Sequence, residues 1–175
     1  MNRTAPTLET ERLILSGHTL DDYGDVAGLW SEPDVVRYIG GRPFTAEESW
    51  ARLLRYAGAW ALMGYGFWTF RAREGGQYLG EGGLLNGRRS LGPDFDGSPE
   101  MGWALHPSAH GRGYGAEALQ AITGWADAQG IDRAVCLIEP DNGPSVKLAE
   151  KLGFARFRET TYHGARVDLF KRQSA

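Results

Sequence analysis

Two hydrophobic periods alternate along the chain, and each marks a kind of element. Over Glu100–Leu105, the bulky Met101, Trp103 and Leu105 face one way and Glu100, Gly102 and Ala104 the other, as in a strand with one broad and one small face. Arg12–Leu15, Phe67–Arg71 and Tyr78–Leu85 predict further strands, the last two folded into a hairpin by Glu74-Gly75-Gly76. Ala134–Ile138 is continuously apolar, as expected of a strand covered on both faces. Phe154–Thr160 and Ala165–Lys171 predict a closing pair that turns at Tyr162-His163-Gly164.

Spacings of three and four predict the helices. Thr19 can cap a first helix with Leu20, Tyr23, Val26, Ala27 and Trp30 inside and Pro33 as its stop. Thr45-Ala46-Glu47-Glu48 reads as a capping box, followed by Trp50, Leu53, Leu54, Ala57 and Ala61 as the inner stripe of a long second helix. A third runs from Ala118 through Leu119, Ile122 and Trp125 toward Gly130. A fourth starts at Pro144, turns Val146, Ala149 and Leu152 inward, and stops at Gly153. Residues 86–99 carry Gly, Ser, Pro, Asp and Arg without a period and predict a mobile loop. Its Asp94 and Asp96 lie close to Glu100 in sequence and could attract an amine, or could simply be solvated.

Between the central strand and the third helix lies His110-Gly111-Arg112-Gly113-Tyr114-Gly115-Ala116, with a glycine at every second place. Such a turn lets successive backbone N–H groups converge on an anion at the positive end of a helix, which suits a pyrophosphate. No Gly-Lys-Ser/Thr ending follows, so this is not a nucleotide-hydrolysing P-loop. The glycines also come late in the chain and lack the Gly-x-Gly-x-x-Gly spacing of a dinucleotide fold.

Composition narrows the remaining choices. At 175 residues the chain has the length of one domain, residues 1–175, with a full core. A net charge of -3 with dispersed arginines gives no footprint for nucleic acid and leans slightly toward a cationic substrate. One cysteine, Cys136, permits no internal disulfide and no Cys/His metal set, and its apolar surroundings predict an inert thiol. No run approaches membrane length and no leader pattern opens the chain, so a cytoplasmic protein, monomeric or homodimeric, is expected.

The basic turn resembles the pyrophosphate loop of the GNAT acetyltransferases, Gln/Arg-x-x-Gly-x-Gly/Ala, with His110 standing where Gln or Arg is usual. Thr10-Glu11-Arg12-Leu13-Ile14-Leu15, Asn142-Gly143-Pro144-Ser145 and Leu152-Gly153-Phe154 are similar to the opening and closing signatures of the branch that contains the ribosomal-protein N-terminal acetyltransferases, RimJ/RimL-like. The resemblance implies an α/β fold of the α+β type, a mixed, mainly antiparallel twisted sheet of about six to seven strands flanked by about four helices. It also implies an enzyme that transfers acetyl directly from acetyl-CoA to a primary amine, either a protein N-terminus or a small molecule, without metal.

Specific roles follow from the same resemblance. Glu100, directly or through a water, would take the amine's proton, or else it is an ordinary strand-end carboxylate. The Leu105 N–H would face the developing oxyanion, and Trp103, Ala104 and Leu105 would run beside the pantetheine arm. Gly111, Arg112, Gly113, Tyr114, Gly115 and Ala116 would hold the pyrophosphate, with His110 as an added donor. Asn142 would bond the pantetheine amides. Many relatives place a proton-donating tyrosine where this chain has Ala149; Ser145, one turn earlier, could serve the leaving thiolate instead, or could only begin its helix. The competing class is a non-catalytic acyl-CoA-binding or regulatory module, which would keep the turn and show no turnover.

Overall fold

The alternating segments become eight strands in the computed structural model, which describes residues 4–173. They are β1 (Leu8–Glu9), β2 (Leu13–Gly17), β3 (Phe67–Ala72), β4 (Tyr78–Leu85), β5 (Glu100–Leu105), β6 (Arg133–Ile138), β7 (Ala155–Tyr162) and β8 (Ala165–Gln173). They form one sheet in the order β1-β2-β3-β4-β5-β6-β8-β7, in which β5 and β6 are parallel and every other pair is antiparallel. A parallel pair needs a crossover, and α4 (Tyr114–Ala128) supplies it. The remaining helices are α1 (Tyr23–Ser31), α2 (Pro33–Val36), α3 (Ala46–Met63) and α5 (Gly143–Lys151).

The two faces of β5 divide the core. Met101 belongs to a cluster with Leu119 and Ile122 of α4, Ala149 of α5 and Phe170 of β8. Ala104, on the opposite face, packs with Val26, Leu29 and Trp30 of α1, Val35 and Val36 of α2 and Leu53 of α3. Near the end of α3, Trp60 meets Trp68 and Trp125 edge to face at 4.6 and 5.4 Å, and its Nε1 donates to the Phe67 carbonyl at 3.0 Å. Such a three-indole cluster adds geometric specificity to a large apolar burial.

Several sequence expectations shift. The two-residue β1 pairs Leu8 with Leu15 and Glu9 with Ile14, and is too short to show a period. Pro33 ends α1 as expected, but it also opens α2, where its missing N–H has no consequence. The buried stripe of α3 is Ser49, Leu53, Tyr56 and Trp60, whereas Trp50 and Leu54 are 42% and 48% exposed. The expected stripe followed the most apolar residues; the helix is turned so that the Tyr56 hydroxyl reaches a buried partner. The 86–99 segment is anchored: Phe95 is buried with Val135, Val167 and Leu169, and Arg158 grips the Asp94 carboxylate at 2.8 and 2.9 Å. Asp96 accepts from the Gly92 N–H at 2.8 Å. Asp94 is therefore committed to Arg158, and Asp96 is turned into its own loop through one oxygen.

Gly80 shows why β4 is glycine-rich. A bulge at Phe70/Arg71 twists β4, and Gly80 has φ +146°, with any Cβ falling 2.3 Å from the Ala104 carbonyl oxygen. Gly80→Ala is expected to lower stability by about 3 kcal/mol through strain and the parting of β4 from β5. Urea unfolding of the variant beside the parent measures it.

Candidate active site

The helix that follows the basic turn starts without a side-chain cap. Gly113, the N-cap of α4, has φ +80°, and the first helical bond is Glu117 N–H to the Gly113 carbonyl at 3.1 Å. The N–H groups of Gly113, Tyr114, Gly115 and Ala116 consequently have no partner within the helix. Residues 110–113 are exposed, and Gly111, also at positive φ (+69°), has nothing within 4 Å of a Cβ position. Open amides at the positive end of a fifteen-residue helix are a cradle for phosphate.

The cradle is held from the far end of the chain. Glu117, in the first turn of α4, accepts from the Thr10 hydroxyl at 2.6 Å, the Arg12 N–H at 2.8 Å and Arg12 Nε at 2.7 Å. Burial pushes the Glu117 carboxyl up, but these bonds and the Arg12 charge outweigh it and hold the group below its ordinary range. Arg12 also donates to the Arg112 carbonyl at 2.9 Å, and its guanidinium lies 4.5 Å from the Tyr114 ring centroid. Glu117 is thus answered by Arg12, and the helix amides stay open. Arg112, its guanidinium 5.0 Å from the Tyr114 ring centroid, is exposed and has no carboxylate partner among the described residues.

Two glycines act differently from expectation, and one histidine is occupied. A Cβ on the buried Gly115 would lie 2.8 Å from Leu105 Cδ1 and 3.3 Å from Leu148 Cδ2, so this glycine lets α4 press against β5 and α5. At Gly113 the constraint is the backbone angle, with only an arginine tip at 3.4 Å. The His110 Nε2 meets the Leu105 carbonyl at 2.9 Å and staples the turn to the end of β5. That nitrogen is not turned toward the cradle.

Beside the cradle the sheet opens. β5 and β6 share a single register pair, Glu100 with Val135, before they diverge. The His106 N–H bonds the Leu79 carbonyl at 2.9 Å, and the regular register with β4 then directs the Gly102 and Ala104 amides to β4. Those of Trp103 and Leu105 point to the diverging side, where β6 does not take them up. Asn142 caps α5 by accepting from the Ser145 N–H at 3.3 Å, while the Ser145 hydroxyl, half-buried, has no partner among the described residues. Ala149 is fully buried in the core. Cys136 is buried as well, and burial, then the Glu100 charge, pushes its thiol well up, so it is inert.

Glu100 itself is 4% exposed, and both its oxygens accept from Arg89, Nε and Nη2, each at 2.6 Å. Arg89 spends its remaining reach on the Tyr162 hydroxyl, 2.9 Å away at the β7–β8 turn. Its neighbours Arg88 and Ser90 have φ +41° and +58°, strained angles for side-chain-bearing residues that aim Arg89 inward. The carboxylate therefore lies on the expected strand, with a partner that sequence reading missed.

A second buried carboxylate was also missed. Glu81 of β4, paired with Ala104, is fully buried under α1 and α3. Trp30 Nε1 at 2.8 Å and the Tyr56 hydroxyl at 2.5 Å donate to one oxygen; His18 Nε2 at 3.1 Å and the Tyr78 hydroxyl at 2.9 Å serve the other. Burial pushes the Glu81 carboxyl up, and the bonds from His18, Tyr56 and Trp30 overcome it and hold the group below its ordinary value. Burial and the Glu81 charge push both tyrosines well up, so they remain donors. Locally, Leu-Gly-Glu-Gly reads as a solvated charge; nothing short of the tertiary fold reveals the four donors.

Comparison with known proteins agrees with this architecture. Residues 12–155 match the model of the acetyltransferase (GNAT) domain. A GnaT-family acetyltransferase structure from Bordetella pertussis superposes with a TM-score of 0.87 at 33% identity, covering 96% of this chain and 99% of that one. The uncharacterized N-acetyltransferase p20 of Bacillus licheniformis is 27% identical over 152 residues, 86% of this chain and 83% of its own. RimL, a ribosomal-protein α-N-acetyltransferase solved in complex with coenzyme A, shares the fold with a TM-score of 0.77 at 14% identity, covering 97% and 98%.

The Glu81 cluster has a pH signature. Because its folded pKa lies below the ordinary 4.5, the stabilisation is present above that value and is lost as pH falls through the folded pKa. Glu81→Gln should cost about 3 kcal/mol at neutral pH, and the gap to the parent should narrow when urea unfolding is repeated near pH 3.

Proposed function

The chain belongs to the GNAT acetyltransferase family and is an N-acetyltransferase, and from that premise we propose that it moves acetyl from acetyl-CoA directly to a primary amine. The acceptor is a protein N-terminus or a small-molecule amine. One domain over residues 1–175 suffices, since both sides of the reaction meet on β5. The observation that carries the proposal is the coincidence of two sets of open amides: those at the start of α4 and those of Trp103 and Leu105 where β6 turns away. No mixed sheet leaves interior strand amides unpaired without a ligand or water to meet them.

The residues fit coenzyme A along this path. Gly111 to Ala116, with Arg112, would hold the pyrophosphate; the edge of Trp103, Ala104 and Leu105 would pair with the pantetheine amides; Asn142 would flank it. His110 contributes by fixing the turn to Leu105. When bound, acetyl-CoA supplies an acyl group activated as a thioester. The Leu105 N–H would stabilise negative charge that develops on the acyl oxygen. Ser145, its hydroxyl without a protein partner among the described residues, would hold the departing thiolate by donating a hydrogen bond, and the proton that converts it to the thiol would come from water.

Glu100 takes the proton of the incoming ammonium, directly or through one water. Its bidentate pair with Arg89 sets a condition on that step, because one of the two bonds must yield as the proton arrives. Arg89 is therefore a positioning residue that aims the Glu100 carboxylate.

Two measurements test these assignments. Glu100→Gln should lower kcat by about 100-fold, read as thiol release with acetyl-CoA and an amine, and should flatten the acid limb of the pH–rate profile. Retention of that limb would remove Glu100 as the base. Gly113→Ala should weaken acetyl-CoA binding about tenfold by calorimetry, because a side chain at this φ strains the cradle; parental affinity would place the diphosphate elsewhere.

A further inference from the structure

On the side of β5 that carries Glu100, several arginines are matched to carboxylates, Arg71 to Asp22 and Asp25 and Arg89 to Glu100 among them. Arg52 and Arg55, one turn apart on α3, have none within 4.0 Å among the described residues. They line an open recess of about 280 Å³ with Phe44, Glu48 and Ala51. The one carboxylate there, Glu48, is already used: Arg42 donates to its two oxygens at 2.6 and 2.9 Å, and the Thr45 N–H adds a third bond at 2.8 Å.

Arg52 is held in a fixed pose without a counter-ion. Its guanidinium lies 3.8 Å from the Trp30 ring centroid and 4.7 Å from that of Phe44, the two rings being stacked, and Nη1 donates to the Tyr56 hydroxyl at 3.0 Å. Its Nε is buried with no partner, a donor that ordinarily costs stability when left unmet. Arg55 is exposed, 5.9 Å from the Tyr56 ring centroid. Desolvation by the surrounding protein comes first, and the nearby charges of Arg52 and Arg89 add to it, in holding the Arg55 pKa below its ordinary value. Arg89 is neutralised by Glu100, which leaves Arg52 and Arg55 as an unpaired, like-charged couple that attracts an anion.

Packed side chains link Arg52 of the recess to β5 through Tyr56 and Phe67. Tyr56 stacks on Phe67 at 4.6 Å and an angle of 8°, and Phe67 Cζ lies 3.1 Å from where a Cβ on Gly102 of β5 would be. Glu100 is two residues along the same face, gripped by the Arg89 that Arg55 senses.

We propose that this recess is an anion subsite of the acceptor, so that the preferred substrate is a primary amine bearing a carboxylate or phosphate, held by Arg55 and Arg52 while its amine reaches Glu100. The proposal rests on the transferase reading and reverses the slight cationic preference suggested by net charge. A free amino acid and an acidic peptide N-terminus present the same chemistry, and the experiment separates them.

Thiol release from acetyl-CoA is compared for 4-aminobutyrate against butylamine, and for the peptide amide Ala-Glu-Ala against Ala-Gln-Ala. The anionic member of at least one pair should have the higher kcat/KM, by about tenfold, as a charge-assisted contact gives. Preference within the first pair alone identifies a small amino acid, and within the second alone a peptide. Arg55→Gln should abolish the preference, and Arg55→Lys, a point charge without the planar fork, should restore part of it. Equal or lower kcat/KM for both anionic members would overturn the subsite, as would a preference that survives Arg55→Gln. Calorimetric titration of glutarate keeps the two readings apart. Heat that is lost in Arg55→Gln, without turnover of any amine, supports the subsite and counts against the transferase assignment; absence of that heat together with absence of preference counts against the subsite alone.

Discussion

β5 and β6 run parallel, share one pair at Glu100 and Val135, and then part. Each is zipped along its length to its other neighbour, β5 to β4 over Glu100–Leu105 and β6 to β8 over Arg133–Ile138. The sheet can twist open only where that pairing is thinnest. The consequences are chemical. Amides of Trp103 and Leu105 are left facing a cleft, and the crossover that a parallel connection requires brings the start of α4 to the mouth of the same cleft. Under the function proposed above, a ligand with a diphosphate at one end and amides along its length would occupy such a groove.

Around this opening, three carboxylates are each answered by groups on other elements or segments: Glu100 by Arg89, Glu117 by Arg12, and Glu81 by His18, Trp30 and Tyr56, with Tyr78 of its own strand. Removing a charge from water is unfavourable unless its hydrogen-bonding capacity is met, and all three meet that condition. The effect is to lock separate elements together. Glu117 ties β2 to the cradle, Glu81 ties α1 and α3 to β4, and Glu100 ties the 86–99 segment and the β7–β8 turn to β5. Charges that escape such pairing stand out against this background. Arg52, Arg55 and Arg112 are among the described cations that have no carboxylate partner.

Periodicity located most of the elements because burial on one face of a strand or helix leaves a regular trace. It failed where polar groups were the buried ones. The stripe of α3 was displaced toward Trp50 and Leu54, since the true inner face carries Ser49 and the Tyr56 hydroxyl, whose burial is favourable only because Glu81 waits beneath. The 86–99 segment looked mobile, since neither the Phe95 pocket nor the Arg158 clamp on Asp94 leaves a local signature. The candidate site was legible in part: the glycine turn, the open helix start and the strand bearing Glu100 all sit where the motif predicted. His110 illustrates the limit, because a donor beside a phosphate loop and a donor stapling that loop to Leu105 have the same sequence.

The chain by itself therefore determined the strands other than β1, most of the helices, the glycine turn and the family it belongs to, because these depend on contacts within a few residues and on backbone angles that glycine alone adopts without strain. The tertiary structure decided which charges are spent and which are free. Ion pairing depends on distance in space, and Arg89 on Glu100, Arg12 on Glu117 and the unpaired Arg52 and Arg55 become distinguishable only when the sheet and α3 have brought them to their neighbours.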